Sequence, residues 1–357
     1  MERVLCAMSG GVDSAVAALL LQQQGYAVSG ATMRLFSETD VLLPSDGTCG
    51  SLSDCADAAA VCARLSIPHC IFSFQEDFRR EVIERFGAAY AQGETPNPCI
   101  DCNRYMKFGR FMQEARALGF DRIATGHYAR IEKAPSGRYI LKKAVDVGKD
   151  QSYVLYSLSQ DTLAHTLFPL GTLSKAEIRE IAQAHQFTNA HKPDSQDICF
   201  VPDGDYAAFL EDKLSVSLPC GDFVRTDTGR VVGRHKGLHR YTIGQRKGLG
   251  IAAEKPLYVV QKDRSDNRVF LGDNAELFRD SLRAGDCNWI AFDTLDAPCR
   301  VTARARYNQK ETPATITPLE SGDVHVQFDT PQRAVTPGQA VVFYDGDTVV
   351  GGGTILP

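Results

Sequence analysis

Long apolar runs, a second Cys-x-x-Cys pair, a Walker-type phosphate motif, an excess of positive charge and more than one tryptophan are all missing from this 357-residue chain. No uninterrupted apolar stretch approaches the roughly 18 residues of a membrane span, which argues against an anchor. Met1-Glu2-Arg3-Val4-Leu5-Cys6 runs straight into a motif, so no cleaved export signal is expected and the cytoplasm is the expected compartment. The net charge of -5 argues against indiscriminate nucleic-acid binding, which draws on clustered Lys and Arg, but leaves room for a local basic face. Eleven cysteines are too sparse for a small disulfide scaffold, and without export they read as reduced thiols, ligands or catalysts. What remains is an ordinary globular composition, 43% hydrophobic and 23% charged with mean hydropathy -0.21, which excludes collagen-like, disordered and coiled-coil classes. At about 150 residues per domain, two or three domains are expected.

The first 130 residues alternate short apolar runs with amphipathic stretches. Strands are expected at Val4–Met8, Ala27–Met33, His69–Phe74 and Arg122–Thr125. Helices are expected at Val12–Gln24, Leu52–Leu65, Glu76–Ala91 and Lys107–Leu118. This alternation predicts a parallel sheet covered on both faces, with ligands beyond the C-terminal strand ends. A further helix is predicted over Ser174–Gln186, where Ser174 and Glu177 have capping-box spacing. After about Pro202 the texture turns rich in Gly, Thr and Val with short alternating runs, which reads as a small intermediate domain and then a β-barrel. The expected divisions are residues 1–205, 206–275 and 276–357.

Ser9-Gly10-Gly11-Val12-Asp13-Ser14 follows the first strand and opens the first helix. Two glycines allow a tight turn with exposed N–H groups, and the helix start adds the positive end of its dipole. Ser9 and Ser14 can donate to phosphate oxygens, and Asp13 is read as a holder of Mg2+ against them. The loop resembles that of the PP-loop ATP pyrophosphatases, which implies adenylation of a substrate oxygen to create a leaving group.

Thr95-Pro96-Asn97-Pro98-Cys99-Ile100-Asp101-Cys102-Asn103 sets two prolines and two cysteines just before an amphipathic helix, where thiol pKa values should be lowered. Cys199 lies in Asp194-Ser195-Gln196-Asp197-Ile198-Cys199-Phe200. Cys6, Cys62 and Cys70 sit in apolar runs and read as inert core. A structural zinc site lacks its second pair of ligands. Sulfur chemistry is the preferred reading of Cys102 and Cys199.

These blocks, together with Lys107-Phe108, Ala124-Thr125-Gly126-His127-Tyr128, Lys149-Asp150-Gln151-Ser152-Tyr153, Lys236-Gly237-Leu238-His239 and Tyr241-Thr242-Ile243-Gly244-Gln245-Arg246-Lys247, resemble the bacterial tRNA-specific 2-thiouridylases along essentially the whole chain. The resemblance implies an α/β fold: a PP-loop, adenine nucleotide alpha hydrolase-like parallel-sheet domain, a small central domain and a C-terminal β-barrel. It implies 2-thiolation of uridine 34 in tRNAs for Lys, Glu and Gln, with ATP adenylating the C2 oxygen. Sulfur would arrive as a persulfide on Cys199, loaded by a sulfur relay or cysteine desulfurase, and Cys102 would be the second catalytic thiol. The implied ATP site comprises Ala7, Met8, Ser9, Gly10, Gly11, Val12, Asp13, Ser14, Met33 and Gly126. The implied tRNA contacts are Asn97, Pro98, Cys99, His127, Lys149, Asp150, Gln151, Arg306, Tyr307 and Gln339. Many relatives carry Asp where this chain has Cys99, so its acid–base role does not transfer. Cys99, Cys102 and Cys199 together offer an alternative, three ligands of a [4Fe-4S] cluster with one open site for sulfide.

Seven Lys or Arg (Arg225, Arg230, Arg234, Lys236, Arg240, Arg246, Lys247) face one acid, Asp227, within a stretch where His235, His239 and Tyr241 interleave. This pattern suits phosphate and base contacts. Two other functions compete: an adenylating ligase for a small amide or acid, which needs neither the basic stretch nor paired thiols, and a cysteine-rich metal or redox sensor that keeps only the nucleotide fold.

Overall fold

The computed structural model describes residues 1–36, 51–192, 198–201 and 204–357, with no account of the Leu52 side chain. The Asp194–Asp197 part of the Cys199 motif and Cys49 lie outside the described residues. Strands β1 (Arg3–Ala7), β2 (Ala27–Arg34), β3 (His69–Ser73) and β4 (Arg122–Ala124) form a parallel sheet. After a hairpin, β5 (Ala129–Lys133) and β6 (Tyr139–Lys143), the short strand β7 (Thr166–Leu167) completes it in the order β3-β2-β1-β4-β7. The central strand β1 shows why both faces must be covered. Val4, Cys6 and Met8 enter one apolar cluster, with helices α1 (Val12–Gln23) and α2 (Leu52–Leu65), while Leu5 and Ala7 enter the other. Among the described residues no helix is long and apolar enough to cross a membrane.

The helix expected from Lys107 begins nine residues earlier. Asn97 accepts the Cys99 N–H at 3.1 Å and Pro98 occupies the first turn, so an α-helical start at Pro98–Asp101 runs on through wider turns at Cys102–Arg110 into Phe111–Ala117. Cys99 and Cys102 therefore sit inside the helix start rather than before it. The predicted capping box at Ser174 and Glu177 is present and opens Lys175–Ala184.

The central sheet, in the order β10-β11-β8-β9, is built from β8 (Gly221–Arg225), β9 (Val231–His235), β10 (Tyr258–Asp263) and β11 (Arg268–Gly272). The last six strands are β12 (Phe278–Trp289), β13 (Cys299–Arg304), β14 (Thr312–Pro318), β15 (Val324–Arg333), β16 (Ala340–Asp345) and β17 (Thr348–Ile355), closed into a barrel by β12–β17 pairing. The β5–β6 hairpin of the first domain joins this barrel through Thr348 and Lys142. β16 explains its own unbroken apolar sequence. Val341 and Phe343 fill the barrel, whereas Ala340, Val342 and Tyr344 pack into the core of the first domain.

Candidate nucleotide and thiol site

The loop after β1 is shaped by contacts that only glycine tolerates. Gly10 has φ of +75°, and a Cβ there would lie 2.7 Å from the Asp54 backbone oxygen. Asn189 Nδ2 donates to Gly10 O at 2.9 Å, Ser14 Oγ donates to Gly11 O at 3.0 Å, and the Ser9 N–H donates to Ser14 Oγ at 3.1 Å. Gly11 caps α1 without any side-chain acceptor, so the positive helix end is left to an anion.

Asp13, the expected magnesium ligand, already has protein partners. Lys175 Nζ reaches its two oxygens at 2.8 and 2.9 Å, and the Tyr128 hydroxyl donates to Oδ1 at 2.6 Å. A carboxylate at a crowded helix start holds its charge most cheaply when paired, and Lys175, nearly buried, supplies the partner. Neither Lys175 nor Tyr128 carries a local sequence signal for this contact, being 162 and 115 positions away. Gly126 completes the packing, since a Cβ there would approach Asp13 C and Ser14 N at 3.0 Å.

Beyond the strand ends lies a cavity of about 180 Å³ lined by Ala7, Met8, Ser9, Asp13, Ser14 and Met33, and by Gly126, His127 and Gln151. Lys107 and Thr125, which stand in blocks that carry the resemblance, also line it, as do Thr32 and Leu35, which no motif singles out. The cavity joins seven of the ten expected ATP residues, all but Gly10, Gly11 and Val12, to two expected tRNA residues, His127 and Gln151. His127 is buried, with Nδ1 2.7 Å from Thr125 Oγ1. Burial first, and the positive charge of Lys107 second, hold its imidazole well below the usual value, so it is neutral at pH 7. Gln151 Oε1 accepts the Tyr128 N–H at 2.9 Å, which ties this wall to the Asp13 cluster.

Cys99 is exposed, Cys102 buried and Cys199 half-buried; Cys102 belongs to the apolar cluster on which Cys199 packs. The lowered thiol pKa expected from the helix start is not found at Cys99. Crowding by protein atoms pushes it up despite its exposed surface, and Lys107 offsets only part of that. Burial likewise pushes Cys6 up, and Cys62 to about 11, as fits core thiols. Cys6, Cys55, Cys62, Cys70, Cys99, Cys220, Cys287 and Cys299 are free thiols. Among the described residues no three His, Cys, Asp or Glu side chains come together to hold a metal, so Cys99, Cys102 and Cys199 as placed do not form cluster ligands.

Several residues expected at the RNA are committed inside the protein. His235, His239 and Tyr241 are buried, against the expectation of base contacts: His235 Nε2 lies 3.0 Å from Asn267 O and His239 Nε2 lies 2.6 Å from Glu211 Oε1. Arg240 pairs with the same Glu211 and Arg225 with Asp227. Arg230, Arg234, Lys236, Arg246 and Lys247 remain exposed. Asp150 is buried, with Oδ1 accepting the N–H groups of Ala144 and Ser152 and Oδ2 accepting the Ser152 hydroxyl at 2.8 Å. Lys149 beside it is half-buried. Tyr307 is exposed, whereas Arg306 donates to Ile243 O at 3.0 Å and Gln339 donates to Thr95 O at 2.6 Å.

The parallel sheet, double-glycine loop and uncapped helix start, followed by two small β domains, define a PP-loop type α/β protein. Residues 2–203 match the family described as tRNA methyl transferase HUP domain, 207–273 its PRC-barrel domain, and 279–355 the aminomethyltransferase beta-barrel domain. The tRNA-specific 2-thiouridylase MnmA of Acetivibrio thermocellus is 50% identical over 356 residues, 99% of each chain. That of Moorella thermoacetica is 51% identical over 353 residues, 98% of each chain, and that of Halothermothrix orenii 49% identical over 355 residues, 99% of each. The chain belongs to the tRNA-specific 2-thiouridylase family.

Proposed function

We propose that the protein is an ATP-dependent tRNA 2-thiouridylase acting on uridine 34 of the tRNAs for Lys, Glu and Gln. The observation that carries this reading is the cavity at the strand ends, where the glycine loop with its uncapped helix start meets His127 and Gln151. ATP occupies that cavity with its phosphates on Ser9–Ser14 and its base toward Met33 and Gly126. The uracil is flipped from the anticodon stack toward Asn97, Pro98 and Cys99. Its C2 oxygen attacks the α-phosphate and pyrophosphate leaves. The terminal sulfur of a Cys199 persulfide then attacks C2 and AMP leaves. Cys102 thiolate attacks Sγ of Cys199, which breaks the S–S bond, releases 2-thiouridine and forms a Cys102–Cys199 disulfide. Two electrons from an external thiol reductant return both cysteines to thiols. His127, neutral and buried, is suited to exchanging hydrogen bonds with the uracil rather than to carrying charge. The persulfide route needs only Cys102 and Cys199, and no three-ligand cluster is found among the described residues; Mg2+ bound with ATP would neutralise the phosphates, with Asp13 within reach of them beside Lys175. Arg230, Arg234, Lys236, Arg246 and Lys247 hold phosphates, with Lys149 and Tyr307 nearer the anticodon.

The test is nucleoside mass spectrometry of undermodified tRNA after incubation with ATP, a persulfide donor and the protein. New 2-thiouridine at position 34, with one AMP per sulfur, is expected. AMP release on a small acid or amide without tRNA would move the protein to the ligase class.

A further inference from the structure

The segment leading into Cys99 is held from outside its own domain. Both backbone groups of Thr95 are taken by the barrel loop between β15 and β16: its N–H donates to Pro337 O at 3.0 Å, and its carbonyl accepts from Gln339 Nε2 at 2.6 Å. The Thr95 side chain is not the tether, since its buried hydroxyl finds no partner among the described residues. Gly338 lies between the two anchors with φ of +86°, and a Cβ there would stand 2.9 Å from Glu94 Cβ and 3.0 Å from Thr95 N. The barrel loop is itself fixed. Gly338 N–H donates to Ile355 O at 2.9 Å, Ile355 N–H returns to Gln339 O at 2.8 Å, and Arg306 Nη2 spans Thr336 Oγ1 at 2.5 Å and Ile243 O at 3.0 Å. Two residues beyond Thr95, Asn97 caps the helix start that carries Cys99 and Cys102.

We propose that the barrel loop Thr336–Gln339 is a clamp that sets the position of Asn97 and Cys99, which makes Gly338 and Gln339 positioning residues for the reaction. This rests on the reading that the Asn97–Cys99 segment borders the target base. An irregular segment has few ways to hold its own backbone, so a rigid neighbour that satisfies both groups of one residue fixes its path. A displacement of about 1 Å near reacting atoms lowers a rate by about a hundredfold. The clamp also gives the third domain a task in catalysis separate from gripping RNA.

Two variants test it. Gly338→Val places a branched side chain at positive φ and against Glu94, while Gln339→Glu removes the donor to Thr95 O and sets a carboxylate against that oxygen. Hydrogen exchange of the Thr95 and Cys99 amides should rise at least tenfold in both. Single-turnover thiolation at saturating ATP and tRNA should fall roughly ten- to a hundredfold, while the tRNA Kd of Gly338→Val stays within twofold of the parent. Unchanged exchange in both variants, or a rate loss that vanishes once tRNA is saturating, would overturn the clamp. Should Gly338→Val fail to fold, Gln339→Glu decides alone. Should the parent protein form no 2-thiouridine, the thiolase reading fails by itself, and the exchange measurement, which needs neither ATP nor tRNA, still decides whether the barrel holds the loop.

Discussion

Removing Lys175 should damage the phosphate loop more than any local feature of the sequence suggests. The Lys175 side chain is 11% exposed and that of Asp13 28%. Deleting one partner of a buried pair costs about 3–5 kcal/mol. In Lys175→Met the stranded Asp13 keeps the Tyr128 hydroxyl, the helix dipole and some water, which brings the cost to about 2 kcal/mol. In Asp13→Asn the stranded group is the more deeply buried ammonium, so about 3 kcal/mol is expected. The double variant buries no unpaired charge and should cost about 2 kcal/mol, which leaves a coupling of about 3 kcal/mol between the two sites. Unfolding of a three-domain chain is not two-state, and fluorescence of the lone tryptophan, Trp289, reports the barrel rather than the sheet. Native-state hydrogen exchange of β1 and α1 amides is therefore the suitable measure. ATP affinity should fall at least tenfold in Lys175→Met, because a released carboxylate would share the loop with phosphates. Additive costs within about 0.5 kcal/mol, or a Lys175→Met protein that binds magnesium and ATP more tightly than the parent, would refute the importance of the pairing.

Asp101 is half-buried, and loss of water pushes its carboxyl up to about 6 against the pull of Arg85 and Arg104. The native state then holds a proton that the unfolded chain releases near 3.8, so stability falls as pH rises from about 4 through 6; Asp101→Asn should gain up to about 2 kcal/mol at pH 7.5 and nothing below pH 4, as read by native-state hydrogen exchange of the Phe111–Ala117 amides against the parent at each pH. Replacing Arg230, Arg234, Lys236 and Lys247 with Ala should flatten the salt dependence of tRNA binding by about one slope unit per lost phosphate contact in filter assays. Arg240→Ala should instead strand Glu211 and lower stability with little change in that slope. Cys102→Ser and Cys199→Ser should abolish thiolation from a persulfide donor while Cys99→Ser retains it; iron and inorganic sulfide in anaerobically prepared protein, with all three variants dead, would favour a cluster instead.

Local patterns carried the first domain well because its physics is local. The unbroken apolar run Val4–Met8 marks a strand buried on both faces, and Ser174 with Glu177 marks a helix start wherever the chain goes. The loop could be read for the same reason: two glycines alone would fit a plain turn, but all six residues Ser9–Ser14 between a strand and a helix point to an anion site. The helix before Lys107 was missed because its first turns are polar and hold two cysteines, which hides a start that Asn97 and Pro98 in fact encode. In the central domain, residue type misled: His235 and Tyr241 look like RNA contacts only until Phe223 of β8 packs against both, and His239 until it meets Glu211, and a turn-rich stretch has no period from which to tell its inside from its outside.

Contacts between distant segments account for the remaining surprises, and they share a physical cause. A charged or polar side chain near an active site needs a partner, and the partner can come from any element that passes within about 3 Å, so its position along the chain is arbitrary. Lys175 reaches Asp13, Asn189 reaches Gly10, Lys192 reaches Asp54 at 2.7 Å, and Gln339 reaches Thr95. The first three come from the segment that leads toward Cys199, and all of them meet the phosphate loop or the helix start beside it. The fourth comes from the barrel and ends beside Cys99. Nucleotide loop and thiol loop are thus each held by an element far away along the chain, which is why neither tether is visible in the local sequence.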